Sequence, residues 1–282
     1  MTDWRSCVGG LGVCLEACSQ ECARERNRMM RDFQVSLGRV VAGGVAAVLL
    51  GASANASVLV FDNFDYPDGS LVPNGGWANH SGTLGDMLVS GGQVMVQHGV
   101  PSEDAHLDFA AVSGKVYYGI NFSVDDLGHA YSGTDNEYFA HFREGFNFSG
   151  RLDVVEATNG GDFSVGIASD DSVADAVWAT DLSYGVTYRA VVEYDQDTNQ
   201  AQLWIDAMFS TDTSIFGDDQ TDPGDSVTSF ALRQSDSSEN ELVRVDGLVV
   251  GTSFEDVVNP VPVPGSAMLL GLGGLMGLRR RR

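Results

Sequence analysis

From Val58 to Val250 the apolar residues recur at every second position in short runs, and clusters of Gly, Asp, Asn and Ser separate those runs. A repeat of two puts alternate side chains on opposite faces of an extended strand, so each run has one face built for burial. The runs are Val58–Phe61, Gln93–Gln97, Lys115–Val124, Glu137–Arg143, Arg151–Val155, Asp162–Ala168, Thr187–Tyr194, Gln202–Asp206, Val227–Gln234 and Leu242–Val250. No segment sustains a helical period with proper caps. Roughly ten to fourteen short strands with turn signals between them predict an all-β sandwich.

The clearest hairpin runs from Tyr188 to Asp206. Its strands flank Asp195 to Gln200, where Asp and Asn side chains can bond their own backbone and tolerate turn geometry. It resembles a hairpin of laminin-G-like and concanavalin-A-like jelly rolls, in which a strand ending Tyr-Asp leads into a Leu-Trp-Val-Asp strand. Here those residues are Tyr194-Asp195 and Leu203-Trp204-Ile205-Asp206. The opening Phe61-Asp-Asn-Phe-Asp-Tyr-Pro-Asp-Gly69, with Gly75-Gly76-Trp77 after it, is similar to the start of the same sandwich. Val245 to Gly251 is similar to its close, a strand that returns beside the first. The resemblance implies a jelly-roll β-sandwich over residues 57–258.

Two flanking segments read as address labels. Arg31 and Arg39 precede the apolar stretch Val40 to Leu50, and Ala54 and Ala56 are placed for cleavage before Ser57. That is the pattern of a secretory signal peptide, here over residues 29–56. All four cysteines, Cys7, Cys14, Cys18 and Cys22, lie in residues 1–28, at spacings that match no Cys-x-x-Cys zinc pattern. Translation from Met29 or Met30 is expected, with residues 1–28 an untranslated or removed extension; a metal or cluster site is the competing reading.

At the other end stand Pro262-Val263-Pro264, an apolar run from Gly265 to Leu278, and Arg279, Arg280, Arg281 and Arg282. The run falls short of the ~20 residues that a spanning helix needs, and the arginines give the charge that orients such a segment. Residues 259–282 thus resemble a PEP-CTERM sorting signal, with Val263 where the family usually has glutamate. The resemblance implies a C-terminal hydrophobic sorting helix, an exosortase-type processing enzyme as partner and transient membrane contact through the tail. It also implies a secreted protein of the cell envelope, outer surface or extracellular matrix. A plain membrane anchor is the alternative.

Between these segments 34 acidic residues face six basic ones, a balance of −28. Nucleic acid and anionic membrane would be repelled. Divalent cations and neutral polysaccharide are the partners that such a charge favours.

Arg151-Leu-Asp-Val-Val-Glu156 resembles the Glu-x-Asp-x-x-Glu strand of jelly-roll glucanases. Asp153 and Glu156 match, but Arg151 stands at the nucleophile's position and cannot form a glycosyl intermediate. No catalytic residue is assigned, and the chain is expected not to be an enzyme; a polysaccharide-active hydrolase or lyase on the same scaffold is the alternative. Asp195, Asp197 and Asn199 place oxygen ligands at alternate positions, as in a calcium loop, although Gln200 replaces the glycine of the sharp turn. A metal-free hairpin turn competes with that reading, and the acidic loop Asp218 to Asp225 is similarly ambiguous. His80, His98, His106, His129 and His141 form no His-x-x-x-His pair, and His141 reads as a residue of a strand face. Tyr131, Tyr184 and Trp178, near loops, are the candidate sugar-stacking contacts, whereas most tryptophans suit the core. These readings converge on a non-catalytic carbohydrate-binding, adhesion or structural module associated with exopolysaccharide, with calcium the cofactor to test.

Overall fold

A computed structural model describes residues 58–128, 131, 137–218, 224–235 and 241–260. The leader, the Ala54-x-Ala56 site with Ser57, and the tail from Val261 to Arg282 lie outside the described residues, as does His129. Eight strands fill the first half: β1 (Val58–Asp62), β2 (Gly69–Ser70), β3 (Ala78–Gly82), β4 (Leu88–Ser90), β5 (Gln93–Gln97), β6 (Glu103–Asp108), β7 (Lys115–Val124) and β8 (Glu137–Glu144). Eight more follow: β9 (Asn147–Val155), β10 (Ser164–Ala168), β11 (Ala176–Val177), β12 (Tyr188–Asp195), β13 (Gln200–Ile205), β14 (Ile215–Asp218), β15 (Ser229–Arg233) and β16 (Leu242–Gly251). A short helix, α1 (Phe254–Val258), comes last.

The strands form two antiparallel sheets. The nine-stranded sheet runs β14-β13-β12-β7-β16-β5-β4-β2, with β1 also on β16; the seven-stranded sheet runs β11-β10-β9-β8-β15-β6-β3. The expected return of the last strand beside the first is present, with Val60 opposite Val250 and Asp62 opposite Leu248. The Tyr188–Asp206 hairpin also forms, with Asp195 paired to Gln200.

The core follows from the alternation. Val116, Tyr118, Ile120 and Phe122 of β7 point inward and are at most 1% exposed, and their odd-numbered neighbours point away. Burying such an aliphatic or aromatic side chain stabilises by about 1.5–3 kcal/mol. Tyr118 packs its ring 5.0 Å from both Phe142 and Phe230 of the opposite sheet, edge-on. Its hydroxyl donates to the Gly150 carbonyl at 3.0 Å, so the buried polar group is satisfied across the sandwich.

The outer face of the nine-stranded sheet is covered. Helix α1 lays Phe254 and Val257 on Tyr117, Val191, Trp204 and Val249, with Ser253 as its N-cap. Arg189 latches it, donating to the carbonyls of Val257 at 2.6 Å and Gly247 at 2.8 Å. The sequence had offered no helical period here, and five residues are too few to show one. The outer face of the seven-stranded sheet has no such helix among the described residues.

Candidate functional site

Two β-bulges assemble the central patch of that second face. Opposite β9, the pairs Tyr138↔Asp153 and Ala140↔Leu152 give β8 one extra residue. Phe139 and Ala140 both enter the core, and Tyr138 and His141, three residues apart, both turn outward. The pairs Ala140↔Leu152 and Phe142↔Ser149 then give β9 an extra residue in turn. Gly150 supplies it, with a φ of +59° that a residue bearing a Cβ rarely adopts. Phe148 and Arg151 therefore also share the outer face. Bulges of this kind re-aim side chains, and they are over-represented beside functional sites.

Tyr138 is the centre of the patch. The Arg151 guanidinium lies 4.9 Å from its ring centroid and that of Arg233 lies 4.3 Å from it. His141 meets the ring edge-on at 5.4 Å and meets Phe148 at 4.8 Å. From β3, His80 reaches within 6.4 Å of Phe148 and within 5.2 Å of His106. Strands β6, β15 and β8 lie between β3 and β9. Since neighbouring strands stand ~4.8 Å apart, a flat sheet would separate those two backbones by about 19 Å. The 6.4 Å ring contact thus requires a strongly concave sheet. Small residues make room for it, as Ala231 of the central strand is the partner of both His106 and His141.

Electrostatics divide this face into charged and neutral groups. Burial pulls the His80 imidazole down to about 4 and that of His141 to about 3, with nearby arginines adding to both shifts. His106 is lowered as well, by burial and by Arg143. All three rings are neutral at pH 7. Burial also pushes the Asp153 carboxyl well above the usual range, although Arg151 opposes it. Among the described residues neither Asp153 oxygen has a hydrogen-bond partner, and the residue is fully buried, so its neutral form is favoured. Asp104, opposite Arg233 in the register, is raised to about 6 by burial. Arg233 donates to Glu137 at 3.2 Å. Glu137 lies 3.7 Å from His98, whose Nδ1 is 2.8 Å from Glu241. His98 also lines a recess of about 220 Å³ with Asp86, Met95, Val100 and Gln234.

The residues singled out from the sequence fall in several places. Arg151 and Asp153 belong to this face, whereas Glu156 is exposed just beyond the end of β9. His141 is a residue of the face, as read, but is buried at 1% exposure. Tyr131 is a correction: it is 5% exposed and packed in the core, not presented to solvent from its loop. Tyr184 accepts from the Tyr131 amide and stacks on Phe163 at 5.6 Å, and Trp178 is half-buried against the same core. These three rings are anchored by inward packing and do not join Tyr138. Asp195 accepts from the Asp197 amide, and Asn199 is buried, accepting from the Tyr194 hydroxyl and donating to Asp170. A tight turn is what these bonds describe. Among the described residues no group of three or more His, Cys, Asp or Glu side chains is placed to hold a metal ion.

Sequence reasoning missed Arg143, Arg233, Asp104 and Tyr138 as members of a site. Period two could have placed Arg143 beside His141, but nothing local joins β8 to β15 and β6.

No protein-family model and no curated protein matches the chain. Among solved structures, the carbohydrate recognition domain of Emp47p is 13% identical over 71% of this chain and 96% of that one, with a TM-score of 0.43. The seed lectin of Lotus tetragonolobus is 13% identical over 70% of this chain and 98% of its own, with a TM-score of 0.44. An alginate lyase from Corynebacterium sp. is 12% identical over 57% and 77%, with a TM-score of 0.40. None of these values bears on activity or ligand.

Proposed function

We propose that the chain is a secreted, exosortase-sorted protein of the cell surface or extracellular matrix, whose jelly-roll sandwich binds polysaccharide on the concave face of its seven-stranded sheet. The observation that carries the binding reading is the Tyr138 ring held between Arg151 and Arg233, with Phe148 and three neutral histidines around it. Tyr138 and His141 are themselves buried and hold the guanidinium groups in place, so the half-buried Phe148 ring and the planar guanidinium groups are what can stack on a sugar ring and donate to its hydroxyls. A concave floor with the half-buried Phe148 ring and arginine donors therefore offers both stacking and hydrogen bonding to a sugar chain.

Binding without catalysis is favoured because the glucanase-like strand does not supply the pair of accessible carboxylates that glycoside hydrolysis needs. Arg151 occupies the nucleophile's position, Asp153 is fully buried and Glu156 lies past the strand end. One observation supports the alternative of a hydrolase or lyase: the Asp153 carboxyl, opposite Tyr138 in the register, is raised by burial and so favours the protonated form that a general acid needs. Incubating polysaccharides with the full chain and assaying reducing ends and unsaturated products separates the two. The binding reading expects retention in a glycan screen with neither product formed, and it is overturned if turnover is seen and Asp153→Asn abolishes it.

Export rests on the leader and tail motifs. Deleting residues 261–282 is expected to mis-sort the protein or release it to the medium, and unchanged surface location would contradict the sorting reading.

A further inference from the structure

The six basic residues between Ser57 and Val258 are Lys115, Arg143, Arg151, Arg189, Arg233 and Arg244. Lys115 and Arg244 each pair with a carboxylate, Glu193 and Asp125. Arg189 is the latch of α1, directed at main-chain carbonyls. The remaining three all belong to the concave face. Arg233 is paired with Glu137. Arg143 and Arg151 have no carboxylate in ion-pair contact among the described residues.

Donors on both also lack partners among the described residues. Arg151 uses only Nε, which donates to the Phe148 carbonyl at 3.1 Å, and its terminal fork has no hydrogen-bond partner among the described residues. Arg143 has a buried Nε without a partner. Both flank His141, one two residues along β8 and the other across the β9 bulge. The acid nearest Arg151 along its own strand, Asp153, has its charged form disfavoured by burial and makes no hydrogen bond to Arg151. Two guanidinium groups thus stand uncompensated in a domain with 34 acidic residues and six basic ones. Elsewhere in such a chain a carboxylate is easily found, and the pairs at Lys115 and Arg244 show it.

We infer that Arg143 and Arg151 form a binding site for the anionic substituents of an acidic polysaccharide, the carboxylate of a uronic acid or a sulfate ester. The inference rests on the concave face being the sugar-binding face and adds the charge of its ligand. It reverses the expectation of a neutral polysaccharide, which came from net charge alone. The arginine fork matches a planar carboxylate or a sulfate with two parallel hydrogen bonds, and a concavity strengthens the field of its own charges. The acidic remainder of the domain repels polyanions, so attraction must come from this patch.

Affinity electrophoresis of the full chain through gels holding polygalacturonate, dextran sulfate or neutral dextran tests this, with chelator present throughout. Retardation by polygalacturonate or by dextran sulfate, but not by dextran, is expected, and which of the two acts assigns carboxylate or sulfate. Arg143→Gln and Arg151→Gln, assayed well below their melting temperatures, should each weaken it at least tenfold, whereas Arg244→Gln leaves it intact. Equal retardation by dextran, or full retention in both arginine variants, overturns the inference. If dextran binding persists in those variants and is lost in Tyr138→Ala, the sugar-binding face stands and the charge assignment fails. Retardation by no glycan sinks both.

Discussion

Arg151 holds its guanidinium group 4.9 Å from the centre of the Tyr138 ring, across the bulged junction of two neighbouring strands. With Arg233 at 4.3 Å, the ring is flanked by two cations. Such contacts contribute about 0.5–2 kcal/mol each, depending on how far water is excluded. Tyr138→Phe keeps the ring and should retain both stability and glycan retention within twofold. Tyr138→Ala removes it and should lower stability by about 1–3 kcal/mol and glycan affinity at least tenfold. Urea denaturation and gel retardation measure the two effects.

Protonation of the histidines on the concave face works against folding. His141 and His80 have folded-state values near 3 and 4, below the ordinary 6.5. A depressed histidine favours the folded state above its unfolded value, and that stability is lost as pH falls from about 6.5 towards 3. Each such group steepens the loss by up to about 1.4 kcal/mol per pH unit within its window. Asp104 works the opposite way: raised to about 6, it favours the folded state at low pH, and that contribution is lost as pH rises from about 4 through 6. Asp153, raised by burial, works in the same direction as Asp104, so the histidine contribution is read by comparing a variant with the unaltered chain. In His141→Asn the midpoint of urea denaturation should change less between pH 6.5 and 4 than in the unaltered chain. An identical slope would show that His141 does not titrate with folding.

Arg189 fastens α1 through two main-chain carbonyls, and burial lowers its guanidinium only to about 10, so it stays charged at neutral pH. Arg189→Met leaves both carbonyls without their donor and should cost about 2–4 kcal/mol. Because α1 covers the other sheet, glycan retention of the folded variant should not change. Limited proteolysis near Phe254 is expected to accelerate.

Asp62 gathers the first loop, accepting from the Phe64 amide, the Tyr66 hydroxyl and the Trp77 indole, each at 2.8 Å. Asp62→Ala orphans the buried indole N–H and should cost about 2–3 kcal/mol. Gly75 is as constrained: a Cβ there would lie 1.7 Å from the Tyr66 hydroxyl, at a φ of +58°. Gly75→Ala should therefore destabilise comparably, read by thermal melting.

Much of the sandwich is legible in the sequence, and the exceptions share a cause. β5 and β7 have the bounds expected of them, because their apolar residues alternate without interruption. β6, with sequence EDAHLD, has the buried Glu103 and Ala105 and the partly buried Leu107 on one side and carries Asp104 and His106 on the other, so its apolar signal is faint. β3, with sequence ANHSG, has almost none. Both lie at the edge that curls over the site. The site was harder still to see. Arg151, Asp153 and His141 could be picked out singly, but the alternation rule mispairs them until the bulges at Phe139 and Gly150 are known. Their meeting with Arg233 and His80 depends on the order β9-β8-β15-β6-β3, which no local pattern encodes.

Hydroxyl-radical footprinting of the full chain, with and without polygalacturonate, asks most directly where a sugar chain lies. Phe148, His80 and His106 should lose reactivity when polysaccharide is added. Met208 and Phe209, 63% and 68% exposed between β13 and β14, should react as before. Protection of Met208 and Phe209 with Phe148 and the histidines unchanged, or no protection anywhere, would contradict the concave-face account.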